Sequence, residues 1–545
     1  MKENISILPE ENEKQGAAKI LLDHAGPLSM LPRFGDEVIA TLRELYSLKY
    51  LSKEQLIEAI THALRFGRKN LTTEVVSQWE KLKDDVTGND FASLLQRYVG
   101  TSIIEDEFDD ENKRSNKLEI LITNLAQQAV SNFALLELEL KWLLTDKAKR
   151  GAAFGYQLGQ FDQNSYLLPE LLEHQEIIDD VGGAILIGGY LRFVFEKDPN
   201  QWELILAQLA VKDKFNKILV ELTARSGMSG LAAERLIQLA NSGKVELIDF
   251  MNLRYSKIEV VPENTFIDLL NLLLNSNDSR IHSIAMLLFS FYYESRDKAE
   301  LSKKLPDEVT YKLLTHPVLF KKTSYNNFDH YLWMQISAKY IEQYLEKSIG
   351  FGNIILEHFG EEGTIVGGFL NDTHAILGTL LEKFPQEIWR LITKFLGPPI
   401  DGKAYRLREW LKGDDFFSEN QRGPINLIPK QLLWDWIDED VNVRAWYAAG
   451  FVPKAFTGGD DSSTLFRDIL IRYGNREDVR NNLSANFMTG GWTGPGSLYH
   501  LGQKQRIEKF GKSENNTNIM KWVSEMVEGL DEQIEKEKMW EERDE

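Results

Sequence analysis

The chain contains no cysteine. Disulfides, thiolate nucleophiles and cysteine-based zinc or iron–sulfur sites are therefore excluded. Long apolar runs are missing too. The longest, GGAILIGGYLRFVF (Gly182–Phe195), is too short to span a bilayer and carries Arg192. The opening residues, MKENISILPEENEKQG, have neither the apolar stretch nor the cleavage pattern of a secretory signal. These absences predict a cytoplasmic chain with no membrane association. Dense basic blocks are also lacking: 63 Lys and Arg stand against 83 Asp and Glu, a formal charge of −20. Nucleic-acid binders gather positive charge on one face, so this composition argues against a nucleic-acid partner. Strand-like alternation is scarce.

What remains is helical. At 545 residues, 43% hydrophobic and 11% aromatic, the chain escapes wholesale disorder and exceeds the usual size of one compact domain. Phe266, Leu269, Leu270, Leu273 and Leu274 form one apolar stripe at helical spacing, as do Val38, Leu42, Leu45 and Tyr46. Ser52 with Gln55 reads as a capping box, followed by the stripe Leu56, Ile57, Ile60, Leu64 and a stop at Gly67. SGLAAERLIQLANSG (Ser229–Gly243) reads as a further helix. IHSIAMLLFSFYY (Ile281–Tyr293) is apolar nearly all round, which predicts a helix enclosed by neighbours. The expected fold is all-α, an irregular α-solenoid of stacked helical hairpins with degenerate HEAT- or TPR-like repeats. FEKDPNQWELILAQLA (from Phe195) and LEKFPQEIWRLITKFL (from Leu381) match in outline, with Asp198 and Pro199 opening the first helix. No sustained period accompanies them. Two breaks divide the chain: the charged stretch Ile104–Lys117 and the proline–glycine stretch Gly397–Tyr405. They suggest an N-terminal helical segment (1–113), central repeats (114–396) and a Trp-rich C-terminal region (397–545).

Motifs of known catalytic sites fit this scaffold poorly. TGGWTGPG, from Thr489, fits the T-G-x-x-x-G-x-G turn of short-chain dehydrogenases. That turn needs a strand before it, and REDVRNNLSANF carries helically spaced Val479 and Leu483. The Tyr-x-x-x-Lys pair of those enzymes is absent, so the loop reads as an interhelix corner and no cofactor is expected. A P-loop fails because position 506 is Arg506 where Gly511-Lys512-Ser513 would require glycine. Asp401-Gly-Lys403 matches only the last element of a restriction-type nuclease, and neither Gly-x-Ser-x-Gly nor His-Glu-x-x-His occurs. Glu357, His358, Glu361, Glu362, Asp372 and His374 could hold a divalent ion if their helices fold back, which leaves a metal-assisted hydrolase as the alternative function.

Aromatic residues crowd the last third. Trp434, Trp436, Trp446 and Tyr447 stand with Arg444 and Lys454 in LLWDWIDEDVNVRAWYAAGFVPK, the mixture of rings and cations found at interface hot spots. These six are the candidate protein-binding residues; the competing reading makes the rings the core of a terminal cap. Trp522, Met526, Leu530 and Ile534 recur every four residues and predict a closing amphipathic helix.

Six passages carry a family resemblance: AGPLSMLPRFGDEVIATLREL, LTARSGMSGLAAERLIQLANSGKV, LEHFGEEGTIVGGF, FLGPPIDGKAYRLREWL, WDWIDEDVNVRAWYAAGFVPKAF and LIRYGNREDVRNNLSANFMTGGWTGPGSLYH. In this order they resemble the helical C-terminal region of very large bacterial signal-transduction NTPases with numerous domains, several of them antiphage defence proteins. The resemblance runs from about Gly26 to the end and supplies no catalytic residue. In such proteins an effector and a P-loop NTPase precede the helical region, and this sequence has neither motif. The resemblance therefore implies a non-catalytic scaffold or sensor module, either working alone or paired with a separately encoded NTPase or effector.

Overall fold

Ser52 Oγ accepts from the Gln55 amide (3.2 Å) while Gln55 Oε1 accepts from the Ser52 amide (2.9 Å), and the Lys53–His62 helix begins there. Asp198 accepts from the amides of Asn200 and Gln201 at the head of Pro199–Ala210, with Pro199 in the first turn. Ser229 caps Gly230–Asn241 in the same way. The stripes of the sequence then turn inward. Leu56, Ile57, Ile60 and Leu64 are buried, as are Phe266, Leu269, Leu270, Leu273 and Leu274. Instead of stopping cleanly at Gly67, the Lys53–His62 helix widens into a π turn (Ala63–Gly67) and then tightens into a 3₁₀ turn (Arg68–Asn70).

The structure, a computed structural model, describes residues 8–31, 33–101, 116–293, 303–320, 327–359, 368–397, 401–413, 423–453, 464–488 and 493–544. The chain is all-α: about 80% helical, with no strand among the described residues. Most of the charged stretch 104–117 lies outside them. Two compact units divide the chain, Met1–Leu273 and Leu274–Glu545, with the division inside the central segment expected from the sequence.

In the first unit Gly151–Phe161, Gly183–Lys197, Asn216–Ser226 and the 3₁₀ segment Leu247–Tyr255 lie side by side in one layer. Pro199–Ala210, Gly230–Asn241 and Glu263–Leu273 form a second layer, so successive helices alternate between the two layers. Glycine sets the spacing of the first layer. A Cβ at Gly155 would overlap the Leu186 carbonyl oxygen, and one at Gly189 would overlap that of Ala152. The apolar run Gly182–Phe195 is thus the tightest helix contact of the unit.

The second unit follows the same rule. Ser279–Tyr293 is enclosed by neighbours, with Ile284, Ala285, Met286, Leu288, Phe289 and Tyr293 all fully buried. Its last helix, Thr517–Asp544, buries Trp522, Met526, Leu530 and Ile534.

Hydrogen bonds between helices repeat at a hairpin's length. Arg43–Asp85, Lys212–Glu176, Lys244–Asp213, Trp389–Leu432, Asn486–Ala449 and Arg480–Glu525 join residues 42, 36, 31, 43, 37 and 45 positions apart.

Candidate protein-binding site

Several tryptophans of the C-terminal region are spent on packing: Trp410, Trp434, Trp436 and Trp522 are buried, whereas Trp540 is exposed. Trp434 and Trp436 lie on Lys430–Glu439, Tyr447 on Val441–Ala449, and all three are buried. Trp436 meets Trp389 edge-on at 5.7 Å and Phe451 at 6.4 Å; Trp434 faces Tyr473 at 6.4 Å. Guanidinium groups cover the rings. Arg444 stands 5.3 Å over Trp436, Arg472 4.8 Å over Trp434, and Arg408 5.3 Å over Tyr447. Arg444 also donates to the Trp436 carbonyl (2.8 Å) and pairs with Glu439. Of the six residues singled out in the sequence, Arg444 and Trp446 keep partial exposure, and Lys454 lies outside the described residues. The helices bury Trp434, Trp436 and Tyr447 in the core, with Arg444 over Trp436, and leave Trp446 partly exposed.

The described members of the alternative metal group each have other neighbours. His358 stacks on Phe320 at 4.5 Å, and His374 stacks on Phe359 at 5.2 Å, with Trp410 at 6.0 Å. Burial pushes the His374 imidazole down to about 4. Asp372 lies 3.7 Å from His330, and the Glu357 side chain accepts from Asn353 (2.7 Å). Glu361 and Glu362 lie outside the described residues. Among the described residues no group of three or more His, Asp or Glu could hold a metal ion. Asp401 of the nuclease-like element is a helix cap, accepting from the Ala404 amide (2.8 Å), and Lys403 donates to the Glu357 carbonyl.

Thr489–Trp492 of the glycine loop lie outside the described residues, but both flanks are defined. Glu477–Met488 before it is a helix, and Gly494 takes the left-handed conformation (φ +96°) that favours glycine. The loop leads into Gly496–Lys512, whose N-terminus is where a pyrophosphate would rest in a dinucleotide site. Glu541 fills that position. It accepts from the Ser497 amide (3.0 Å) and from Ser497 Oγ (2.5 Å), which holds its carboxyl below the usual range. The chain supplies its own anion to this helix end.

A different set of residues converges in the first unit, on the layer drawn together by glycine. A Cβ at Gly188 would stand 2.9 Å from Arg225 Cβ, so Gly183–Lys197 and Asn216–Ser226 run close enough to merge their polar faces. There Tyr156 Oη donates to Glu196 Oε2 (2.9 Å), Arg192 Nε to Glu196 Oε1 (2.6 Å), and Arg225 Nε to Glu221 Oε1 (2.7 Å). The Arg192 hydrogen bond, aided by Lys257, holds the Glu196 carboxyl below its ordinary range, and Glu196 in turn raises the Tyr156 phenol. Tyr156 meets Phe193 edge-on at 5.8 Å. Tyr255, 50% exposed, has the guanidinium groups of Arg225 and Arg254 each 4.7 Å from its ring centre.

The result is a ladder across four neighbouring elements: Tyr156, Arg192–Glu196, Glu221–Arg225, Arg254–Tyr255. Its chemistry suits binding. Rings and guanidinium groups, held in place by carboxylates, offer area and hydrogen bonds to a second polypeptide. Sequence reasoning passed over these residues, although Arg192/Glu196 and Glu221/Arg225 are i,i+4 pairs visible in the sequence. What was hidden was their adjacency, which depends on how the helices pack side by side. The chain matches no model of a known protein family, and no curated protein matches it.

Proposed function

We propose that the chain is a non-catalytic protein-binding scaffold whose stacked hairpins, an irregular α-solenoid, hold a segment of a partner protein along the Tyr156–Tyr255 ladder. The observation that carries this reading is the ladder itself: four neighbouring elements bring rings and arginines to one layer, partly exposed, with Tyr156 tied to Glu196 across the first pair and Arg225 set over Tyr255 across the last. The tightness of the glycine layer supports it, because a rigid surface loses little entropy on binding. The resemblance to the helical region of bacterial defence NTPases adds the kind of partner, a separately encoded P-loop NTPase or effector, with the scaffold as its sensing or assembling part.

The test is an affinity capture from a lysate of the native host, using the wild-type chain and an Arg254→Glu/Tyr255→Ala double variant. Both positions are exposed, so the variant is expected to fold with unchanged helicity. A specific NTPase or effector retained by the wild type and held at least about tenfold more weakly by the variant is the expected result. Equal retention by the folded variant would remove the ladder as the binding face.

A further inference from the structure

The carboxylates along the Tyr156–Tyr255 ladder are already engaged. Glu196 takes Arg192 and Tyr156, Glu221 takes Arg225, and Glu246 and Asp249 form the capping box of the Leu247–Tyr255 segment. Three cations are left over. Lys197, Arg254 and Lys257 are exposed and have no ion-pair partner among the described residues. Each adjoins the row. Lys197 Nζ stands 5.9 Å from the Phe193 ring centre, while Arg254 lies over the Tyr255 ring and donates to its hydroxyl (2.6 Å). Lys257 is near enough to help hold the Glu196 carboxyl below its ordinary range. Around the head of Asn216–Ser226 the lysines are treated otherwise: Lys212 pairs with Glu176, Lys217 with Asp179 and Lys244 with Asp213. The ladder therefore carries surplus positive charge within a chain whose formal charge is −20.

That surplus selects the occupant. We propose, resting on the reading of the ladder as a binding face, that it takes an acidic segment of a partner protein. Asp and Glu side chains of that segment meet Lys197, Arg254 and Lys257, and its apolar side chains meet the Phe193 and Tyr255 rings. Arg254, positioned by the Tyr255 hydroxyl, keeps further N–H donors for a carboxylate. A nucleic acid fits less well, because its regularly spaced phosphates would also meet Glu196 and Glu221. A polypeptide can place carboxylates at the cations and backbone N–H groups at those two acids. Four elements packed about 8–10 Å apart span about 25–30 Å. An extended chain crosses that distance in about eight or nine residues.

The test is a selection of displayed random segments of about twelve residues, long enough to cross the row, on the full chain. A parallel selection on the Arg254→Glu/Tyr255→Ala variant identifies the segments that depend on the ladder. These are expected to hold at least about twice the library's share of Asp and Glu. A synthetic copy of the strongest should bind with an affinity that falls as salt rises. It should bind Lys197→Glu/Lys257→Glu at least about tenfold more weakly. Both lysines are exposed, so helicity and melting of that variant should not change. Ladder-dependent segments without an acidic excess would overturn the acidic occupant and leave the ladder as a protein-binding face. Tighter binding of a labelled oligothymidylate than of the selected segment would overturn it in favour of nucleic acid. If no segment is sensitive to Arg254→Glu/Tyr255→Ala, the binding face itself is removed, and the acidic occupant with it.

Discussion

His282 and His316 lie against each other inside the second unit, ring centres 5.2 Å apart. His282 donates Nε2–H to the Leu313 carbonyl (2.9 Å), while His316 Nδ1 accepts from the Val318 amide (3.3 Å) and its Nε2 faces the Leu274 carbonyl (3.2 Å). Burial, offset in part by the Leu313 hydrogen bond, pushes His282 down to about 4. In the unfolded chain the same group titrates near about 6.5. Between those values the unfolded state binds the extra proton, so stability is complete above the upper one and is lost as pH falls through the window. His282 alone contributes a loss of about 3 kcal/mol across it. Melting of the second unit should therefore drop between pH 7 and pH 4, and His282→Gln, which keeps a donor for Leu313, should flatten that drop. An unchanged slope in the variant would assign the acid sensitivity elsewhere. None of this was legible in the sequence, where His282 and His316 are 34 residues apart and the nine histidines look scattered.

Elements were easier to read than residues. Caps and stripes are local, so Ser52–Gln55, Asp198–Pro199 and Ser229 gave helix starts that the backbone makes as expected. The enclosed helix at Ser279–Tyr293 and the closing stripe from Trp522 to Ile534 were equally plain. Pairing between elements was not. Glycines at 151, 155 and 159 and at 189 mark the faces of two helices that touch backbone to backbone, and nothing local names the partner. The consequence is measurable. Gly155→Ala would force the Gly151–Phe161 helix away from Leu186, and overpacking of this kind costs about 3 kcal/mol. Gly378, inside Gly368–Lys383 with nothing within 4 Å of its Cβ position, should respond in the opposite sense. There Gly378→Ala is expected to gain about 0.5–1 kcal/mol from helix propensity. Denaturant titrations of the two variants check both signs; a Gly155→Ala chain as stable as the wild type would mean that the layer is looser than its geometry.

Among the described residues the side-chain hydrogen bonds and ion pairs stay short in sequence. Lys212–Glu176, Lys217–Asp179 and Lys244–Asp213 tie each turn to the next but are exposed and contribute little stability individually. Arg480 is the stronger kind of tie, nearly fully buried, with Glu525 at 2.7 and 2.8 Å and the Gly474 carbonyl at 2.9 Å. Both kinds reach one hairpin along and no further. A chain bound together by neighbour-to-neighbour contacts behaves nearly one-dimensionally, so a local weakness opens nearby hairpins first. The first unit offers the cleanest trial, because its N-terminal helices bury their own cluster, Ala18 through Val86, built around Trp79 and Leu82. In Gly155→Ala, amide exchange should accelerate in Gly151–Phe161, Gly183–Lys197 and Asn216–Ser226. The Lys53–His62 helix, sealed inside that separate cluster, should keep its protection. Exchange rising equally in all four helices would show instead that the unit unfolds as one block, and a ladder assembled across its hairpins would then be held by global rather than neighbour-to-neighbour cooperativity.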